Sequence, residues 1–129
     1  MDYFAEYLRY YILLLILLAL YASLSAFVTP LKLRDQFYVA RAGATAAGVR
    51  VYAPWFLIAA GVRVGLYLHF GDRGWYDAAL ITLAAALVHW LAEFYIHGSV
   101  TRQQFVAAMV FDGTGFVWML LARETVTGV

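Results

Sequence analysis

The chain has 129 residues, of which 65% are hydrophobic and only 13% charged, a balance outside the range of soluble globular proteins. Its formal charge of +1 excludes a nucleic-acid-binding surface, and its lack of cysteine excludes disulfides, thiolate catalysis and cysteine-ligated zinc or iron–sulfur centres. What remains is an all-α integral membrane bundle: one four-helix transmembrane domain over residues 1–129, with short loops, a longer first loop and no room for a second folded unit.

Four windows supply the roughly 20 predominantly apolar residues needed to cross about 30 Å of hydrocarbon. They fall at about residues 8–28, 51–70, 76–97 and 104–122. The first is Leu, Ile and Ala through its middle, which suits a lipid-facing position. Thr29-Pro30 ends it, because proline restricts the residue before it and donates no hydrogen bond. Asp2, Glu6 and Arg9 give its leading end a net negative charge where a secretory signal is positive, so the segment reads as a retained helix. The following loop carries Lys32, Arg34 and Arg41, a mild basic cluster of the kind that signals topology. A short interfacial helix around Arg34 to Arg41 would rest Phe37 and Tyr38 at headgroup level.

The second helix opens near Pro54, which is tolerated in a first turn, where its missing N–H has no helical partner anyway. Gly61 and Gly65 form a GxxxG pair that lets a neighbouring helix approach closely. Arg63 points nearly opposite that glycine face, so this helix is contacted on two sides. Gly71-Asp72-Arg73-Gly74-Trp75 reads as a tight turn and makes an antiparallel hairpin of helices two and three. Trp75 and Tyr76 read as interfacial anchors. Gly98 is a natural residue to terminate the third helix, and the fourth carries Asp112, Gly113 and Gly115 in its middle.

An ionisable side chain at the centre of a membrane helix costs roughly 2.5 to 3.5 kcal/mol, so each one here needs a partner. At about 1.5 Å of rise per residue, Arg63 lies about 12 Å from the tight turn and Asp112 about 15 Å from the opposite surface. Their heights match, and an ion pair between them is expected. Glu93, about 27 Å from the turn, falls level with Arg50, its expected partner.

His89, Glu93 and His97 span an arc of about 80° and share one face of the third helix. Three readings of that face stand side by side. Its members can be interhelical hydrogen bonds and ion pairs that fix packing and define a partner-binding surface. His89 and Glu93 can be the acid and base of an intramembrane lipid isomerase, since burial moves both toward neutrality. As a metal site, the three are too extended along one helix for a single ion, and no cofactor is expected. Buried acids and bases in four short helices also fit a small proton-coupled transporter.

In its spacing of Arg50, Trp55, Arg63, Tyr76, His89, Glu93 and Gly98 the chain resembles, without gaps, the ergosterol-biosynthesis scaffold family. These are small four-helix proteins of the endoplasmic reticulum associated with sterol C4-demethylation. VRVYAPWFLIAAGVR is similar to that family's second helix, and ALVHWLAEFYIHGS to its third. The resemblance is specific from about Val49 to Ser99; Asp112 departs from the uncharged residue the family has there. What it implies is a non-catalytic tether, with the seven matching positions and Asp112 in structural or partner-binding roles. The implied partners are the methyl sterol oxidase, the sterol 4-carboxylate dehydrogenase/decarboxylase and the 3-keto reductase. Membrane lipids, sterol intermediates among them, and a second copy of the chain are further candidates.

Overall fold

The computed structural model describes residues 3–128, so the charge read at Asp2 lies outside the described residues. Helix α1 (Tyr3–Val28) stops before Thr29, and Pro30 opens α2 (Pro30–Phe37) as its first residue, the position where a missing N–H costs nothing. A 3₁₀ turn at Ala40–Ala42 and the short α3 (Ala46–Arg50) lead into α4 (Tyr52–Leu68). Asp72 caps α5 (Arg73–Leu91), its Oδ1 accepting the Trp75 N–H at 3.0 Å. A π turn over Ala92–Ile96 prolongs α5. The last helix, α6 (Arg102–Thr127), starts on the Thr101 cap, whose Oγ1 accepts the Gln104 N–H at 3.2 Å.

Among the described residues, four helical runs are long and apolar enough to cross a membrane: Tyr3–Val28, Ala46–Leu68, Arg73–Ile96 and Arg102–Thr127. The first and last outrun the apolar windows because a helix continues to its cap, whatever the hydropathy of its end residues. At the C-terminal end of α6 that cap is Gly128, with φ 75°. The first loop is mostly helical rather than extended, and Phe37 is buried instead of resting at a membrane surface.

Neighbouring long helices run antiparallel. Along α1 and α4, the Arg9 guanidinium donates to the Tyr67 carbonyl at 3.0 and 3.2 Å, and the Ser23 hydroxyl to the Ala53 carbonyl at 2.7 Å. Along α1 and α6, the Tyr11 hydroxyl donates to the Phe111 carbonyl at 2.7 Å, and the Trp118 indole to the Phe4 carbonyl at 2.9 Å. The first helix is therefore not simply lipid-facing: Leu8, Ile12, Leu15 and Ile16 are buried, while Leu17, Tyr21 and Leu24 point outward. An all-apolar middle cannot distinguish these faces, because packed and lipid-exposed positions are equally hydrophobic.

Two apolar layers form the interior. Near the tight turn Leu8, Ile12, Leu66, Tyr76, Leu83 and Met119 pack together. Near the first and third loops the layer is Ala26, Leu33, Phe37, Val49, Trp90 and Val100. Those two loops are stitched by a single antiparallel bridge, in which Val39 N–H donates to the Ser99 carbonyl and Thr101 N–H to the Phe37 carbonyl, each at 2.8 Å.

Candidate functional site

The loop end of the bundle collects most of the polar residues singled out in the sequence. His89 Nε2 lies 3.2 Å from the Tyr52 hydroxyl, and the Tyr38 hydroxyl donates in turn to Tyr52. Tyr52 accepts from Tyr38, and the imidazole tautomer sets whether Tyr52 donates to His89 Nε2 or accepts from it. Burial pushes the Tyr38 phenol well above its ordinary pKa, with the Tyr52 contact second, so it stays a donor. Trp90 and Trp55 close on the imidazole edge-on, with ring centroids 4.7 and 5.5 Å away.

Glu93 sits in the π turn, a feature that recurs where a helix is reshaped for a local purpose. Its carboxylate accepts the Ser99 hydroxyl, and its carbonyl accepts the Ser99 N–H at 2.9 Å. The expected pair with Arg50 does not form: the ion pairs among the described residues are Arg34–Asp35, Arg73–Asp77 and Arg123–Asp77. Depth counting matched the heights of Glu93 and Arg50. However, the wider π turn directs Glu93 to the Gly98–Ser99 corner, and Arg50 is exposed at the end of α3. His97 is also exposed, and among the described residues no three His, Asp or Glu side chains converge on a point a metal could occupy.

Gly98 closes this corner with φ 58°, and its carbonyl accepts Arg41 Nη2 at 3.2 Å. A side chain in this left-handed conformation costs about 1 to 2 kcal/mol. A Cβ here would also stand 3.3 Å from Arg41 Nη2. Gly98→Ala is expected to lower the unfolding free energy in detergent by about that amount, whereas Ala substitution at Gly61, which has nothing within 4 Å of its Cβ position, is expected to cost nothing.

In the middle of the bundle Arg63 is 5% exposed and Asp112 half-buried, and both line one cavity of about 230 Å³. Their charges interact across it, but no N–O contact within 4.0 Å joins them, so the expected ion pair is a longer-range attraction. Trp55 lines the same cavity. Neither His89 nor Glu93 does.

The tight-turn end holds the groups that the sequence reading missed or misplaced. Arg123 grips Asp77 through two hydrogen bonds of 2.9 Å, with Arg73 3.9 Å away. The signal was available, since Asp77 and Arg123 both lie about one turn from the same surface. Tyr76 is fully buried, not an interfacial anchor, and its hydroxyl donates to the Met119 carbonyl at 2.5 Å. Trp75 lies over Gly65, where a Cβ would meet its ring at 2.2 Å. Gly65 therefore admits an aromatic ring, and Gly61 faces open space, so the GxxxG pair does not act as a unit inside the bundle.

Four spanning-length helices, apolar outside and cross-linked by hydrogen bonds inside, define a multi-pass membrane protein. The chain belongs to the Erg28 like protein family, whose profile matches residues 8–117. It is similar to Ergosterol biosynthetic protein 28 of Saccharomyces cerevisiae (strain ATCC 204508 / S288c), with 23% identity over 125 residues, covering 95% of this chain and 84% of that relative. This bears out the family resemblance read from the sequence. No solved structure matches the chain.

Proposed function

We propose that this chain is a non-catalytic scaffold of the endoplasmic-reticulum membrane that serves ergosterol biosynthesis by gathering the enzymes of sterol C4-demethylation. In this reading it tethers the methyl sterol oxidase, the 4-carboxylate dehydrogenase/decarboxylase and the 3-keto reductase. Family membership supports it, as does the relative named for ergosterol biosynthesis. The observation that carries it is the use to which the candidate acid and base are put. His89 bonds to Tyr52 at the start of α4, which in turn holds Tyr38 of the first loop, and Glu93 bonds to Ser99 of the third loop, so both fasten parts of the bundle to one another. Tethering raises the effective concentration of each successive enzyme to the millimolar range for short linkages, which matters for an intermediate that stays in the bilayer.

The outer face of α4 suits the approach of a partner helix. Leu57, Gly61, Val64 and Leu68 fall on one stripe and are exposed. Affinity purification in a mild detergent is expected to recover the three enzymes with this chain. Recovery of none of them, from membranes in which all are present, overturns the proposal. Gly61→Leu is expected to lower that recovery by about tenfold, the equivalent of about 1.4 kcal/mol, without destabilising the bundle itself.

A further inference from the structure

We propose that the cavity at the centre of the bundle binds the hydroxyl end of a membrane alcohol, with Arg63 donating to the hydroxyl oxygen and Asp112 accepting its proton. The inference stands apart from the scaffold reading and does not need it.

The first observation is an unsatisfied cation. Arg63 is 95% buried and makes no ion pair within 4.0 Å among the described residues; its Nε is sealed off without a hydrogen-bond partner, which leaves the Nη groups as the donors that can face the cavity Arg63 lines. A guanidinium carries five N–H donors in a fixed fork, and a buried one left without partners is strongly unfavourable. Something that accepts hydrogen bonds completes this site. The second observation is the charge opposite. Asp112 lines the same cavity, so the polar walls carry one positive and one negative group. An anionic head would be repelled by Asp112 and a cationic head by Arg63. A neutral hydroxyl, at once donor and acceptor, complements both.

Size and access narrow the class further. A volume of about 230 Å³ equals that of about eight waters at roughly 30 Å³ each. It admits a hydroxyl with the first ring or few carbons attached to it, and not a phosphodiester head with its acyl chains. Small residues on two helices, Ala19 and Ala22 on α1 with Ala107 and Ala108 on α6, make the room. The cavity meets the outside between these helices, where Leu18 and Phe111 line it while remaining 37% and 40% exposed. That opening faces lipid, so the apolar remainder of the molecule stays in the bilayer as its hydroxyl enters.

The test uses the purified full chain in phosphatidylcholine nanodiscs and two photoreactive probes: a sterol with a free 3-hydroxyl, and hexadecanol. Each is compared with its O-methyl ether, which keeps the acceptor and loses the proton offered to Asp112. At least one alcohol is expected to label residues 15–22 or 104–112 about tenfold or more above its ether. Which alcohol does so identifies the source of the hydroxyl. Ala107→Phe, which fills the opening, and Arg63→Met are each expected to reduce that labelling by a similar factor. Their folding is checked by circular dichroism and gel filtration. Should Arg63→Met fail to fold, the ether comparison and Ala107→Phe still decide. Equal labelling by alcohol and ether overturns the proposal, as does the absence of labelling in these segments by both alcohols, the result expected of a cavity that holds only water. Loss of labelling with enzyme recovery intact separates its failure from that of the scaffold.

Discussion

Truncating Tyr76 to alanine is expected to lower the free energy of unfolding by about 2 to 3 kcal/mol, the cavity part of the cost of removing a large aromatic ring from a packed interior. Tyr76 is 0% exposed and sits in the layer formed with Leu8, Leu66, Leu83 and Met119. In lipid the loss is not one of shielding from water, because the surroundings are apolar either way. What disappears is close packing, which is the main force holding membrane helices together. Tyr76→Phe isolates the hydroxyl, whose 2.5 Å bond joins α5 to the Met119 carbonyl of α6. That variant is expected to lose about 1 kcal/mol. Reversible unfolding in mixed micelles measures both. A Tyr76→Ala variant as stable as the parent would mean that this ring faces lipid and that α5 is rotated from the orientation described.

The same residue marks the boundary of what the sequence reveals. Tyr76 begins an apolar window just after a turn, and by hydropathy alone that is where a membrane-surface tyrosine belongs. Hydropathy reports span length and break points: four spanning-length helices, the break at Thr29-Pro30, the Asp72 turn and the Gly98 stop all rest on local chemistry. Rotation about the helix axis is set by partners distant in sequence. The Tyr38–Tyr52–His89 chain exists because the first loop folds back onto the third, through Val39 and Ser99, and no local pattern announces that. Glu93 illustrates the same limit, since a single π turn redirects it from Arg50 to Ser99. Arg63 was legible as interior for a thermodynamic reason, because a guanidinium in hydrocarbon must be enclosed. Its height matched that of Asp112, and both do line one cavity, but the space left between them depends on the small residues of α1 and α6.

The hairpin of α4 and α5 offers a prediction in which the sign of an effect reverses. Alanine in place of a helical glycine normally stabilises, by up to about 1 kcal/mol, because glycine loses more conformational freedom on folding. At Gly65 the added methyl group would stand 2.2 to 2.6 Å from three ring carbons of Trp75, a separation that no rotation of the methyl relieves. The indole must leave the helix surface, and with it goes the stacking of Trp75 on His69, whose ring centroids are 6.3 Å apart at 15°. Gly65→Ala is therefore expected to destabilise by about 1 to 3 kcal/mol, the cost typical of overpacking. With Trp75→Ala already in place the obstruction is gone, and the same Gly65→Ala change is expected to stabilise by up to about 1 kcal/mol. A double-mutant cycle read by unfolding in mixed micelles measures this coupling, which is a property of the pair and not of either residue alone. Gly61→Ala, one turn away on the same helix with nothing within 4 Å of its Cβ position, supplies the internal control. If Gly65→Ala stabilises the parent as Gly61→Ala does, the indole does not cover α4, and the turn joins the two helices at an angle other than the one seen here.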